Sequence, residues 1–186
     1  GTYGKKTAKK IAGAFLEKEG ETTLHIDTSL ISTEKYGRIL SENDIDFIPG
    51  RYLEDTLILN RSPGIEGLPG YKEGWFYVQD EASMLPVLVS GITPGDTVAD
   101  VCAAPGGKSI HALMMLSGHG HLYASDVSEN KLEILRENFS RFKYKNVSLR
   151  LHDATKEDPE MKEKADVLLG ERVPGLLEDL HQGFLI

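Results

Sequence analysis

The order of apolar and polar positions divides the chain into two stretches of different texture. In the first, residues from about Lys5 to Lys18 set Ile11, Phe15 and Leu16 along one side of a predicted helix, which Gly20 ends. Thr23-Leu24-His25-Ile26-Asp27 then alternates with the period of a half-buried strand. A helix is predicted from about Thr33 to Ser41, bearing Tyr36, Ile39 and Leu40. Asp46-Phe47-Ile48 and Thr56-Leu57-Ile58-Leu59 read as two short strands around Pro49-Gly50. Together these elements predict a small α+β domain over residues 1–62.

Between Arg61 and Gly74 the periodicity stops, and Gly64, Gly67, Gly70, Gly74, Pro63 and Pro69 break both helix and strand. A linker is expected over residues 63–74 and a second domain over 75–186. In that second stretch Asp80 is placed to cap a helix through Leu88, strained by Pro86, and Pro94-Gly95 turns the chain into the strand Thr97 to Val101. A helix from Ser109 carries Ile110, Leu113 and Met114. Then come a strand His121 to Ser125, a helix Ser128 to Phe142 and strands Val147 to Leu151 and Ala165 to Leu169. Leu132, Leu135, Phe139 and Phe142 give the second helix one apolar face. Strands alternating with helices predict an α/β, doubly wound parallel sheet that takes its ligand at the carboxyl ends of the strands.

The join between the first of those strands and its helix is the most distinctive ten residues, Asp100-Val101-Cys102-Ala103-Ala104-Pro105-Gly106-Gly107-Lys108-Ser109. Adjacent glycines suit a sharp turn or a close approach to a ligand, and the helix that follows offers N–H groups with no intrahelical partner. Two phosphate-binding patterns fail on spacing. Gly107-Lys108-Ser109 could end a P-loop, but Cys102 stands where its first glycine belongs, and neither Gly106 nor Gly107 opens a Gly-x-Gly-x-x-Gly series.

Composition narrows the class. The 186 residues are 40% hydrophobic and 27% charged, as in a water-soluble globular protein, and no apolar run approaches a membrane span. With nothing like a signal peptide at the start, a cytoplasmic site of action and a monomer are expected. One cysteine, Cys102, excludes an internal disulfide and a multi-cysteine zinc site, and His111, His119 and His121 lack metal-ligand spacing, so no metal is expected. A net charge of −8 argues against holding nucleic acid by bulk electrostatics. Lys5, Lys6, Lys9 and Lys10 nevertheless share one side of the first predicted helix, and Arg38, Arg51 and Arg61 are candidate phosphate contacts.

The ten-residue loop resembles that of the RNA cytosine-5 methyltransferases of the Sun/Nop family, and within it the bacterial small-subunit ribosomal RNA methyltransferase B group. The family pattern is Asp-x-Cys-Ala-Ala-Pro-Gly-Gly-Lys-Thr, so Ser109 is its one departure. A second match precedes it: Leu68-Pro69-Gly70-Tyr71-Lys72-Glu73-Gly74-Trp75, followed by Val78-Gln79-Asp80. The resemblance implies a Rossmann-like methyltransferase sheet preceded by an RNA-recognition-motif-like unit, which fits the order strand, helix, strand, strand seen over residues 23–59. No aromatic base-stacking motif accompanies that order.

The cofactor implied is S-adenosyl-L-methionine. Cys102, Ala103, Ala104, Pro105, Gly106, Gly107 and Lys108 would pass beside its methionine moiety, with loop N–H groups and the two glycines allowing close approach. Lys108, with no phosphate to neutralise, is expected to fix the loop or face RNA. Asp126 ends the second strand 20 positions after Gly106 and is placed to accept from ribose hydroxyls, or to cap the following helix. Asp153, after the third strand, occupies the position where the family meets the adenine amino group.

Cytosine C5 is a poor nucleophile, so methyl transfer there needs a thiolate that adds to C6. The family supplies cysteines in an Asp-x-Pro-Cys stretch after the fourth strand and in a later Thr-Cys. Here Gly170-Glu171-Arg172-Val173-Pro174-Gly175 stands at the first place, and no second cysteine follows. The expectation is therefore a partial or altered catalytic domain with no catalytic residue of its own. Its function would be RNA cytosine-5 methylation, on small-subunit ribosomal RNA. The alternatives are a non-catalytic RNA- or ribosome-binding relative and a methyltransferase with another acceptor.

Overall fold

The computed structural model describes residues 21–60, 64–159, 161 and 164–170. The helix predicted over the first lysine cluster, Arg61 and the stretch from Glu171 onward lie outside these.

The described residues build two four-stranded sheets. The first contains β1 (Thr22–Ile26), α1 (Thr33–Glu42), β2 (Phe47–Pro49), β3 (Thr56–Leu59) and β4 (Phe76–Val78). Its order is β2-β3-β1-β4, every neighbour antiparallel. Alternation along the strands sends Leu24, Ile26, Leu57, Leu59 and Phe76 to one core, which α1 closes with Tyr36 and Leu40, neither with measurable exposure. Ser32 caps α1, its hydroxyl accepting the Lys35 N–H at 3.3 Å.

β4 is the element the sequence pattern does not announce. It follows the Gly/Pro stretch expected to be a linker, yet it hydrogen-bonds along β1, with His25 opposite Tyr77. The stretch itself is packed. Leu68 is buried, the Tyr36 hydroxyl donates to the Pro69 carbonyl at 2.9 Å, and Gly70, at φ +81°, lies where a Cβ would sit 2.2 Å from the Trp75 ring. Among the described residues between β3 and β4 there is only a single 3₁₀ turn, Ile65–Gly67, where a strand-helix-strand, strand-helix-strand unit has its second helix.

The second sheet is parallel, in the order β7-β6-β5-β8, with β5 (Thr97–Asp100), β6 (His121–Asp126), β7 (Val147–Leu151) and β8 (Val167–Leu169). It is preceded by α2 (Glu81–Val89), which Asp80 caps as its position predicts, accepting the Ala82 N–H at 3.2 Å. Helices α3 (Gly107–Leu116) and α4 (Glu129–Ser140) bury Ile110, Leu113, Leu116, Leu132 and Leu135 with Val98, Leu122 and Ala124 of the sheet. From β5 the chain steps outward to β6 and β7, then returns to β5's other side as β8. That reversal makes the carboxyl end of β5 a topological switch point, where open α/β sheets bind ligands.

The two sheets are joined by side chains as well as by the chain. Tyr144 donates its hydroxyl to buried Asp27 at 2.6 Å, and the Arg141 guanidinium lies 4.0 Å from the centre of the Tyr71 ring. The His25 ring of β1 meets the His111 ring of α3 edge to face at 4.5 Å, and Asp55 Oδ2 lies 3.1 Å from His25 Nε2.

Candidate functional site

The carboxyl ends of β5, β6 and β7 are each marked by an acid on or just beyond the strand: Asp100, Asp126 and Asp153. Parallel register aligns them along one edge of the sheet, with Asp100 beside Ala124 and Leu169, and Asp126 beside Leu151. The loop from Val101 to Gly106 crosses this edge.

Inside the loop nearly every early N–H is already used. Val101 donates to the Leu169 carbonyl at 3.0 Å, Cys102 to Asp100 Oδ1 at 3.3 Å, Ala103 to the Ser125 carbonyl at 3.0 Å and Ala104 to Asp126 Oδ2 at 3.2 Å. Pro105 has no N–H, and its carbonyl accepts from Asn138 Nδ2 at 2.7 Å. The expectation that loop N–H groups face a ligand therefore narrows to the first turn of α3, whose N–H groups lack intrahelical partners. That helix begins at Gly107, two residues earlier than its apolar period suggests.

The paired glycines fit the sharp turn that the sequence suggests, and they also answer to packing. Gly106 adopts φ +116°, and a Cβ there would meet Leu135 of α4 at 3.3 Å. A Cβ on Gly107 would lie 3.2 Å from both Tyr77 and Gln79. Both contacts are to protein, so the glycines let α3 start close against α4 and β4.

Asp126 is 3% exposed, and its Oδ1 accepts the Val127 N–H at 2.8 Å and lies 3.0 Å from the Lys131 ammonium. The helix after it is capped by Ser128 and not by Asp126. Asp153 follows a residue whose N–H donates to the Asp126 carbonyl at 3.0 Å, so the two acids are neighbours across the β6–β7 edge. Its Oδ1 accepts the Thr155 N–H at 3.0 Å and hydroxyl at 2.7 Å, and these bonds hold its carboxyl below the usual range. Cys102 is half-buried in the loop, and Lys108 sits in the first turn of α3.

Asp100 heads the ten-residue stretch but carries no assigned role in the sequence reading. It is 1% exposed, and burial pushes its carboxyl up to about 6, against hydrogen bonds from the Ser109 hydroxyl and the Cys102 N–H. The signal was there: an acid ending an otherwise apolar buried strand needs donors close by. Among the described residues no group of three or more His, Cys, Asp or Glu is placed to hold a metal ion, and no helix is long and apolar enough to cross a membrane.

Behind the site, His111 is 2% exposed, and burial first, then the His25 ring, push its pKa down to about 3. The unfolded chain binds that proton near pH 6.5 and the folded chain does not. Stability from this group is thus complete above pH 6.5 and is lost as pH falls toward 3. The advantage of wild type over His111→Gln in urea denaturation should shrink by about 2 kcal/mol between pH 7 and pH 5, at about 1.4 kcal/mol for each unit below 6.5. An advantage independent of pH would show that folding leaves the His111 titration unchanged.

Residues 88–171 match the family model described as 16S rRNA methyltransferase RsmB/F. Ribosomal RNA small subunit methyltransferase B of Pseudomonas putida is 37% identical over 110 residues, which are 59% of this chain and 25% of that protein. The tRNA (cytosine(72)-C(5))-methyltransferase of Pyrococcus horikoshii is 37% identical over 120 residues, 64% of this chain and 31% of that protein. The chain thus spans about a quarter to a third of the curated relatives it matches. Among solved structures, a methyltransferase homolog protein from Pyrococcus horikoshii superposes with a TM-score of 0.72 at 29% identity, covering 81% of this chain and 50% of that one. NSun6 from the same organism gives 0.77 at 21% identity, covering 94% and 70%, a likeness of fold.

Proposed function

We propose that this chain, whose residues 88–171 match the RsmB/F methyltransferase model, binds S-adenosylmethionine as the cofactor-holding part of an RNA cytosine-5 methyltransferase. The observation that carries the reading is the row of acids at the strand ends beside a loop already held in shape. A carboxylate offers about four lone-pair positions. Asp126 uses three of them on the Ala104 N–H, the Val127 N–H and the half-exposed Lys131 ammonium. Asp126 thus keeps acceptor capacity for a ribose hydroxyl, and Lys131 can yield its place on a flexible stem.

Asp153 would then meet the adenine edge, and Cys102 to Lys108 would lie along the methionine moiety. When bound, the cofactor supplies an electrophilic methyl group. Asp126 orients it, and the loop fixes where it stands above the switch point of the sheet. The acceptor is RNA. Small-subunit ribosomal RNA is the first candidate, and the equal identity to a relative named for tRNA makes tRNA the second. Action in the cytoplasm as a monomer, with the first sheet turned to RNA, completes the proposal.

Calorimetry with S-adenosylhomocysteine tests it. Asp126→Ala should weaken binding by about 1–3 kcal/mol, the range for removing one partner of a buried polar contact. Equal affinity in wild type and variant would sink the ribose assignment, and no binding by wild type would sink the cofactor reading itself.

A further inference from the structure

One carboxylate holds both ends of the proposed cofactor loop. Asp100 Oδ1 accepts the N–H of Cys102, near the loop's start, and its Oδ2 accepts the hydroxyl of Ser109, in the first turn of α3, at 2.6 Å. The middle is held by Asp126 through the Ala104 N–H. Ser109 has no measurable exposure, so no water can replace its hydroxyl without rearrangement. Asp100 is equally enclosed, and the nearby Asp126 charge adds to the penalty on its ionised form.

We infer that Ser109 is a positioning residue: its hydroxyl, by holding Asp100, sets the loop from Cys102 to Lys108 in the shape that receives the cofactor. The chemistry requires a donor on a short side chain. Without the O–H, Oδ2 of a buried carboxylate loses its donor, and the group must take up a proton or turn toward solvent. Either response disturbs Oδ1 and its bond to the Cys102 N–H, so a change at the helix end is felt at the opposite end of the loop. Threonine places the same hydroxyl on the same carbon, and it is the residue the family pattern carries here. The one departure from that pattern therefore keeps the group that matters.

The inference rests on the cofactor reading of this loop, and the test separates the two. Amide hydrogen exchange, followed without any ligand, should run about tenfold faster at Cys102 and Ala104 in Ser109→Ala, with the core amides of β5 and β6 unchanged. S-adenosylhomocysteine should bind that variant about tenfold more weakly. Ser109→Thr should restore both values. Unchanged loop exchange in Ser109→Ala would overturn the inference, as would a rise spread evenly over the whole second sheet, or faster loop exchange with undiminished affinity. If wild type binds no S-adenosylhomocysteine while loop exchange still responds to Ser109→Ala and Ser109→Thr, the clamp stands and the cofactor reading falls.

Discussion

Replacing Glu81 by alanine is expected to lower the unfolding free energy by about 3–5 kcal/mol, counting three part-buried backbone N–H bonds to a charged acceptor at about 1.5–3 kcal/mol each and allowing for the loop to regain water. Glu81 opens α2, is 6% exposed, and points its carboxylate at the β2–β3 connection. Oε1 accepts the N–H groups of Tyr52 and Leu53 at 2.9 Å each and lies 3.1 Å from the Thr56 hydroxyl; Oε2 accepts from the Arg51 N–H at 3.2 Å. Burial alone would raise its pKa, but these donors outweigh it and hold the carboxyl below its ordinary value. Gly50 makes the arrangement possible, since a Cβ there would sit 1.7 Å from Thr56 Oγ1. Alanine removes every acceptor at once. Glu81→Gln keeps one oxygen and should cost less. Urea denaturation of the three proteins decides it, and a loss below about 1 kcal/mol for Glu81→Ala would show that the loop finds water instead.

The second large effect is an absence of turnover. The 186-residue polypeptide is expected to bind cofactor and yet transfer no methyl group to cytosine C5, because that reaction needs a thiolate to attack C6. Its one thiol, Cys102, lies half-buried at the strand-to-helix turn, in the segment proposed to lie along the cofactor itself. A base has to approach from the methyl side, and a thiol packed along the methionine moiety is expected not to reach its C6. Tritium transfer to unmodified ribosomal RNA and to tRNA, run beside Cys102→Ala, is the direct measurement. Turnover that disappears in Cys102→Ala would overturn the expectation and make Cys102 the nucleophile. Activity confined to a longer polypeptide carrying a Thr-Cys sequence would place the reactive thiol elsewhere.

Much of the architecture is legible because apolar alternation is a local property. The predicted strand Thr56 to Leu59 is β3 to the residue, Val147 to Leu151 is β7, and the Thr33 helix runs one residue past its expected end. What escapes the pattern depends on partners far along the chain. Phe76–Val78 is a short run after a glycine-rich stretch, and only pairing with β1, some fifty residues earlier, makes it a strand. The site divides the same way. Glycines, a turn and acids at strand ends can be seen in the letters. That Gly107 faces Tyr77 and Gln79, or that Asp100 meets Ser109 across the turn, depends on how the elements pack.

The contacts that join the two sheets bear on how this protein can be dissected. Tyr77 lines the second core from a strand of the first sheet, Asp27 receives Tyr144, and Glu81 holds a loop that lies before the Gly/Pro stretch. A cut near Gly74, which composition recommends, would strip β4 from its neighbour or deprive β1 of an edge, and would open the His25–His111 contact to water. Gly70 and Gly74 are hinges in the letters only. Gly74 stands with φ +70° where a Cβ would lie 2.5 Å from the Arg141 carbonyl, so the stretch is clamped between the parts it looks designed to separate. Fragments for crystallisation or for module exchange should leave the chain uncut from β1 through β8.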